Sequence, residues 1–309
     1  MIAQLSKVVH MTPRQIVART VGKLFGITAE HHFTDRVLNL PSPIWSPPYP
    51  WSRLSAGEGK ALIERLKREG LIIFPDFFTK DQLARIHSAI EAQFAPVLSP
   101  RMEFRPKNEY YACVQPLVIC REFAEAAIDH DLLNLASGYF RRKPFLSESD
   151  FRRVLPLDME EHERKDPKFG KGYSSSHWHY DLRGRQIKVQ IYLTDVGPED
   201  QNFSYCLGSH KGFKSIKYEK SRFSEARFEA LGIQSLECLG SAGTAIVFDT
   251  NGIHRLRRRN TRTRDSLTFY YHPGRMYRAI PQAIHPEVLA AKREVFAGLT
   301  VLASPSLKK

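Results

Sequence analysis

The chain is poor in cysteine, in acidic residues and in long apolar runs, and each shortage narrows what the protein can be. Its four cysteines, Cys113, Cys120, Cys206 and Cys238, are scattered without the spacing of a zinc site or a redox pair. They read as buried thiols in a reducing interior, so a cytoplasmic setting is expected. No stretch is apolar and long enough to span a bilayer, and no apolar core of a secretion signal is visible. No internal repeat is seen. Asp and Glu together number 33 against 46 Lys and Arg, a net charge of +13 over 309 residues. That length can bury a substantial core as one domain or two.

The positive charge concentrates in two places. The first is the N-terminal segment, where no Asp or Glu precedes Glu30. Thr12 can cap a helix there, with Pro13 at its first position and Gln15 closing a capping box. Val17, Val21 and Leu24 then share a face beside Arg19 and Lys23, and the helix ends near Gly26. A basic amphipathic helix over 12–26 suits peripheral contact with an anionic membrane, which would make the protein membrane-associated, or docking on the protein's own body. The shortage of serine argues against an organelle transit peptide. The proline-rich stretch Pro41–Trp51 excludes helix and central strand and reads as an extended connector whose aromatics pack along the body. Residues 1–54 thus form a basic helix and connector ahead of a domain at 55–309.

The second concentration is the arginine run at 255–264. It invites an alternative reading as a basic nucleic-acid-binding protein, or a nucleic-acid demethylase using that run. Leu256 is its only apolar interleaving and no recognisable nucleic-acid motif accompanies it, so nucleic acid is the disfavoured partner.

Periodicity places helices ahead of strands. Thr79-Lys80-Asp81-Gln82 caps a helix carrying Leu83, Ile86, Ile90 and Phe94, and Asp131 to Phe140 is a second helix. Ile187-Lys188-Val189-Gln190-Ile191-Tyr192-Leu193 alternates strictly, so Lys188, Gln190 and Tyr192 share one side of a strand and the aliphatic residues the other. The polar row suits either solvent or the inside of a barrel holding a small polar ligand. Gly243–Asp249 reads as a buried strand, Thr250-Asn251-Gly252 as a turn, and Leu267–Tyr271 as a further strand. This order favours a mainly β fold with flanking helices: a helix-flanked antiparallel barrel rather than an alternating α/β design.

The residues that carry chemistry are His179 and Asp181, two apart on an extended segment and so pointing the same way, together with His254 just beyond the turn. Two histidines and one carboxylate can occupy one face of an octahedral metal and leave the other open, the ligand set of non-haem Fe(II) oxygenases. His177 offers a His-x-His pair with His179, but Asp181 makes the mixed set better suited to iron. An arginine on the strand after His254 could hold a carboxylate bidentately through its planar fork.

The chain resembles the phytanoyl-CoA dioxygenase family of Fe(II)/2-oxoglutarate oxygenases. The resemblance lies in Trp178-His179-Tyr180-Asp181, Leu193-Thr194-Asp195-Val196, Gly208-Ser209-His210-Lys211, His254 and Arg264-Asp265-Ser266-Leu267. The stretch Ala61–Phe74 fits the family's opening helix and strand, so the likeness runs from Ser55 to Pro273. It implies a double-stranded β-helix (jelly-roll) barrel with a helical N-terminal part. Fe(II) would be held by His179, Asp181 and His254. 2-Oxoglutarate would pair its far carboxylate with Arg264, or with Arg262 as fallback, and take hydrogen bonds from Gln190 or Tyr192. The implied activity is hydroxylation, and retention of Asp181 disfavours the halogenating variant; the arginines near the barrel mouth point to an anionic small-molecule substrate, and the basic N-terminal helix to a lipid or glycan-linked one. Two departures stand out. Tyr180 replaces the common Gln, and Asp200-Gln201-Asn202-Phe203 stands where the family usually carries a Gly. A metal-dependent isomerase or hydrolase, or an inactive scaffold, are further readings.

Overall fold

A computed structural model describes residues 46–94, 103–105, 110–158, 177–181, 185–211, 222–223, 225–230, 232–257, 259–274 and 279–303. The expected N-terminal helix over 12–26 and the start of the connector lie outside these residues. Among the described residues no helix is long and apolar enough to cross a membrane.

Helix α1 (Ala56–Glu69) is the first helix among the described residues. Ser55 and Glu58 cap it reciprocally, the Glu58 amide donating to the Ser55 hydroxyl at 3.3 Å and the Ser55 amide to the Glu58 carboxylate at 2.8 Å. It stops at Gly70, whose left-handed φ of 80° turns the chain into strand β1 (Leu71–Phe74). Helix α2 (Lys80–Phe94) begins with the expected exchange between Thr79 and Gln82, at 2.9 and 3.3 Å. Strands β2 (Glu103–Arg105) and β3 (Tyr110–Cys113) follow, then helices α3 (Arg121–Ala127) and α4 (His130–Phe140). The connector's described end is tied to α4: Ser52 and Arg53 amides both donate to Asp131 at 2.8 Å, and Tyr49 stacks on His130.

The remaining elements are mostly strands: β4 (Phe145–Val154), β5 (Leu157–Asp158), β6 (Trp178–His179), β7 (Ile187–Tyr192), β8 (Phe203–Tyr205) and β9 (Arg222–Phe223). After helix α5 (Glu225–Ala230) come β10 (Leu236–Cys238), β11 (Ala245–Asp249), β12 (His254–Leu256), β13 (Arg259–Asn260) and β14 (Arg264–His272), then helix α6 (Pro286–Leu299). They pair antiparallel into a seven-stranded sheet, β1-β11-β7-β14-β4-β3-β2, and a five-stranded sheet, β10-β8-β12-β6-β9, with β13 and β5 as a separate pair. The expected mainly β architecture with flanking helices is present. Among the described residues the strands form separate sheets rather than one closed barrel.

The seven-stranded sheet has two unlike faces, because successive side chains of a strand alternate. Ile187, Val189, Ile191, Ala245, Val247, Leu267, Phe269 and Tyr271 point outward into one core with Leu66 of α1, Ile86 and Ile90 of α2, Phe123 of α3 and Phe296 of α6. Each such large side chain contributes about 1.5–3 kcal/mol by leaving water. The opposite face turns towards the five-stranded sheet. At one end the gap is filled by Leu71, Ile246, Phe248, Phe203, Tyr205 and Tyr192; the rest forms the pocket described next.

Candidate metal centre

Strands β6 and β12 bring the two histidines together. His179 and His254 are direct cross-strand partners, with ring centroids 4.3 Å apart. The turn between β11 and β12 then serves both sides of the site. The Gly252 carbonyl accepts from His254 Nδ1 at 2.7 Å, and the Thr250 carbonyl accepts from the Asp181 amide at 2.8 Å. His179 Nδ1 likewise donates to the His177 carbonyl at 2.7 Å. A carbonyl can only accept, so both rings carry their proton on Nδ1 and present the Nε2 lone pair, the arrangement that orients metal-binding imidazoles. His177 therefore contributes a backbone carbonyl that fixes the ring of His179.

His179, Asp181 and His254 each offer a donor atom within 4.8 Å of the others, and His179 Nε2 lies 3.9 Å from Asp181 Oδ1. Burial, with His179 close by, pushes His254 down to about 3, so it is neutral at ordinary pH and free to act as a ligand. Burial raises the Asp181 carboxyl, but Lys188 and the two histidines outweigh that and hold it well below the usual carboxylate range. Lys188 Nζ sits 2.5 Å from Asp181 Oδ2. One carboxylate oxygen thus faces the histidines and the other is engaged by an ammonium, which favours a single metal–oxygen bond. Two imidazoles and one carboxylate disposed in this way fit a divalent ion such as Fe(II).

The turn itself is braced from behind. Asp249 accepts from the Asn251 amide at 2.8 Å and from the Tyr139 hydroxyl, and its carbonyl accepts from Tyr205 at 3.0 Å. Gly252 has no alternative here: a Cβ would lie 1.9 Å from the Tyr205 hydroxyl oxygen.

A cavity of about 80 Å³ between the two sheets holds the histidines at its wall. Lys188 and Gln190 of β7, Arg264, Ser266, Thr268 and Tyr270 of β14, and Arg152 of β4 line it from the large sheet; Phe203, His254, Leu256 and His179 line it from the small one. Arg264 is 2% exposed and donates to Gln201 Oε1 at 3.2 Å. Gln190 faces the same space, opposite Thr268 in register. Tyr192 lies on the same strand face, but its hydroxyl donates to the Cys238 carbonyl at 2.9 Å and accepts from the Phe203 amide at 3.1 Å. Arg262, in contrast, points outward to Asp200 at 2.5 Å.

Among the described residues, Arg255, Arg257, Arg262 and Arg264 of the basic run do not make a continuous phosphate-binding row. Arg255 stacks over Trp178 at 4.2 Å, Arg257 pairs with Glu199 at 3.5 Å, Arg262 with Asp200, and Arg264 is inside. Local partners divide like residues among unlike tasks.

Several pocket residues escaped the sequence reading. Lys188 was visible as a cation in a polar row, but not as the partner of Asp181. Gln201 was visible only as a departure from a family Gly, and its contact with Arg264 gives that departure a consequence. Asp150, Arg152 and Tyr270 carried no signal, being polar residues on strands whose facing is decided by pairing.

No family model matches the chain, and no curated protein matches it. Solved structures do. SnoN, a non-haem alpha-ketoglutarate-dependent epimerase from nogalamycin biosynthesis, aligns with TM-score 0.52 at 14% identity over 70% of this chain and 84% of that one; it has also been solved with Fe3+, alpha-ketoglutarate and nogalamycin RO. EctD from S. alaskensis, solved with 2-oxoglutarate and 5-hydroxyectoine, aligns with TM-score 0.51 at 16% identity over 75% and 82%. The carbocyclase SnoK aligns with TM-score 0.50 at 14% identity over 72% and 87%. At these identities the likeness establishes a shared fold.

Proposed function

We propose that this protein is an Fe(II)- and 2-oxoglutarate-dependent dioxygenase on a double-stranded β-helix, related to phytanoyl-CoA dioxygenases, that hydroxylates a small-molecule substrate. One observation carries the reading. Two imidazoles pinned through Nδ1 and one carboxylate oxygen converge within 4.8 Å at the wall of an inter-sheet pocket. The likeness in fold to enzymes solved with iron and 2-oxoglutarate supports it.

His179, Asp181 and His254 would hold the iron, and Lys188 would keep Asp181 to one metal bond. Iron with 2-oxoglutarate supplies oxidation of a C–H bond by O2, the cosubstrate leaving as succinate and carbon dioxide. Arg264 suits the far carboxylate because it is buried and planar, so its charge is poorly screened and its fork matches a carboxylate. Gln190 would donate to the cosubstrate from the adjacent strand. Tyr192 would act mainly by closing the inner end of the pocket, since its proton is already given to Cys238. The facing sheets exclude water around the reacting carbon.

Anaerobic titration with Fe(II) and 2-oxoglutarate should produce a weak visible charge-transfer band. His179→Ala should abolish it, and Arg264→Ala should weaken 2-oxoglutarate binding roughly 10- to 100-fold with iron retained, the cost of about 1.5–3 kcal/mol for a charged hydrogen-bonded contact. Tight zinc binding with no response to 2-oxoglutarate would overturn the proposal. SnoN and SnoK are an epimerase and a carbocyclase, so the product also needs weighing: a gain of one oxygen supports hydroxylation, and an unchanged mass or loss of two hydrogens assigns another outcome.

A further inference from the structure

We infer that the substrate meets this pocket with a hydrogen-bond donor, a hydroxyl or an amine, received by Asp150, rather than with an anionic group. The inference rests on the dioxygenase reading and names the substrate class of the same site.

The first ground is that the pocket's cations are already engaged. Lys188 is bound to Asp181 at 2.5 Å. Arg152 is bound to Asp150 Oδ2 through Nη2 at 2.6 Å and Nε at 3.1 Å. Arg264, beside Gln201, is committed to the cosubstrate in the proposed function. None of the three offers an unneutralised charge to a second anion.

The second ground is an acceptor with nothing to accept. Asp150 is 3% exposed, and its Oδ2 takes the Arg152 bonds and the Tyr270 hydroxyl at 3.0 Å. Its Oδ1 is buried and has no hydrogen-bond partner among the described residues. A buried carboxylate oxygen without a donor is costly and calls for a ligand or a water. In register Asp150 pairs with Thr268, and Thr268 with Gln190, both of which line the cavity, as does Arg152 two residues along. The side chain therefore lies on the same side of the sheet as the pocket, packed behind its lining residues Arg152 and Tyr270.

2-Oxoglutarate cannot satisfy Oδ1, because ionised carboxylates and a ketone only accept. The missing donor must come from the third component or from a water. Around it the wall is aromatic as well as polar, with the Tyr270 ring beneath Lys188 and the Tyr110 ring 5.5 Å from the Arg152 guanidinium. A carboxylate and a guanidinium edge beside aromatic rings suit a hydroxyl-bearing molecule, whose groups donate to one and accept from the other. An acyl chain would leave Oδ1 as it is.

The test is calorimetric titration of the anaerobic, Fe(II)- and 2-oxoglutarate-loaded protein with four probes: methyl α-glucopyranoside, glucosamine, glucuronate and octanoate. Glucosamine and the methyl glycoside should bind at least several-fold more tightly than glucuronate and octanoate. Asp150→Asn should remove the preference for the amine, and Asp150→Ala should weaken both favoured probes, with the charge-transfer band reporting in each variant that the metal pocket has formed. Octanoate or glucuronate binding best, no probe binding, or favoured probes indifferent to both substitutions would overturn the inference, the last meaning that Oδ1 holds only water. Absence of the band in the unsubstituted protein would instead sink the dioxygenase reading. The probe ranking and its dependence on Asp150 would still decide the subsite.

Discussion

The two faces of strand β14 are built on opposite principles. Leu267, Phe269 and Tyr271 point into the helix-covered core, where contacts are non-directional and close packing is the only demand. Arg264, Ser266, Thr268 and Tyr270 point into the pocket, where stability and function depend on specific partners: Gln201 for Arg264 and Asp150 for Tyr270. Damage to the first face should appear as lost stability, and damage to the second as lost binding. The division is physical: apolar burial scales with area, whereas a buried polar group is worth little when paired and costly when orphaned.

The largest expected effect breaks the outer face. Phe269→Ala should cost about 3–5 kcal/mol in denaturant-induced unfolding, whereas Ser266→Ala three residues earlier should cost under about 1.5 kcal/mol. Equal losses would show that the faces are not functionally separate. Next is the turn behind the metal ligands. Gly252→Ala must displace the Tyr205 ring or the turn, and iron affinity should fall about 10- to 100-fold, as for lost support of a metal ligand. An unchanged titration would mean that the Gly252 carbonyl does not orient His254.

A smaller effect is expected at the cosubstrate end. Gln201→Ala should weaken 2-oxoglutarate binding about 3- to 10-fold, one hydrogen bond's worth, with iron affinity unaltered. If cosubstrate affinity stays level, Arg264 is held by contacts other than Gln201. The smallest effect is a pH dependence at the pair formed by buried Asp200 and exposed Arg262. The Arg262 hydrogen bonds bring Asp200 down to about 2 against the opposing effect of burial. Its contribution is therefore complete above the unfolded value of about 3.9 and is lost as pH falls towards 2. Arg262 is largely exposed, so solvent screening limits the gain to roughly 1 kcal/mol. Unfolding midpoints of the parent and Arg262→Gln should differ near neutrality and converge as pH falls to about 2, and a constant gap would show that the pair does not titrate as a unit.

Legibility followed the range of the interaction. The helix start at Thr79–Gln82 was readable because a capping box spans four residues, and the alternation of Lys188 and Gln190 with Ile187 and Val189 because a strand's period is two. His179 and Asp181 could be placed on one side by the same rule. The partners could not be read. Gln201 is 63 residues from the Arg264 it contacts, and Tyr139 is 110 from Asp249. Even Arg152 and Asp150, two apart on β4, gave no sign that one carboxylate oxygen would be buried without a donor.

The arginine run shows where the boundary falls. Composition made residues 255–264 basic, and the sequence determined that alone. Which arginine stacks on Trp178, which meets Asp200 and which is enclosed beside Gln201 was decided only when the two sheets came face to face. Burial and partner are properties of the assembled chain: the same guanidinium is a surface charge in water and a selective carboxylate receptor once a second sheet has removed the solvent.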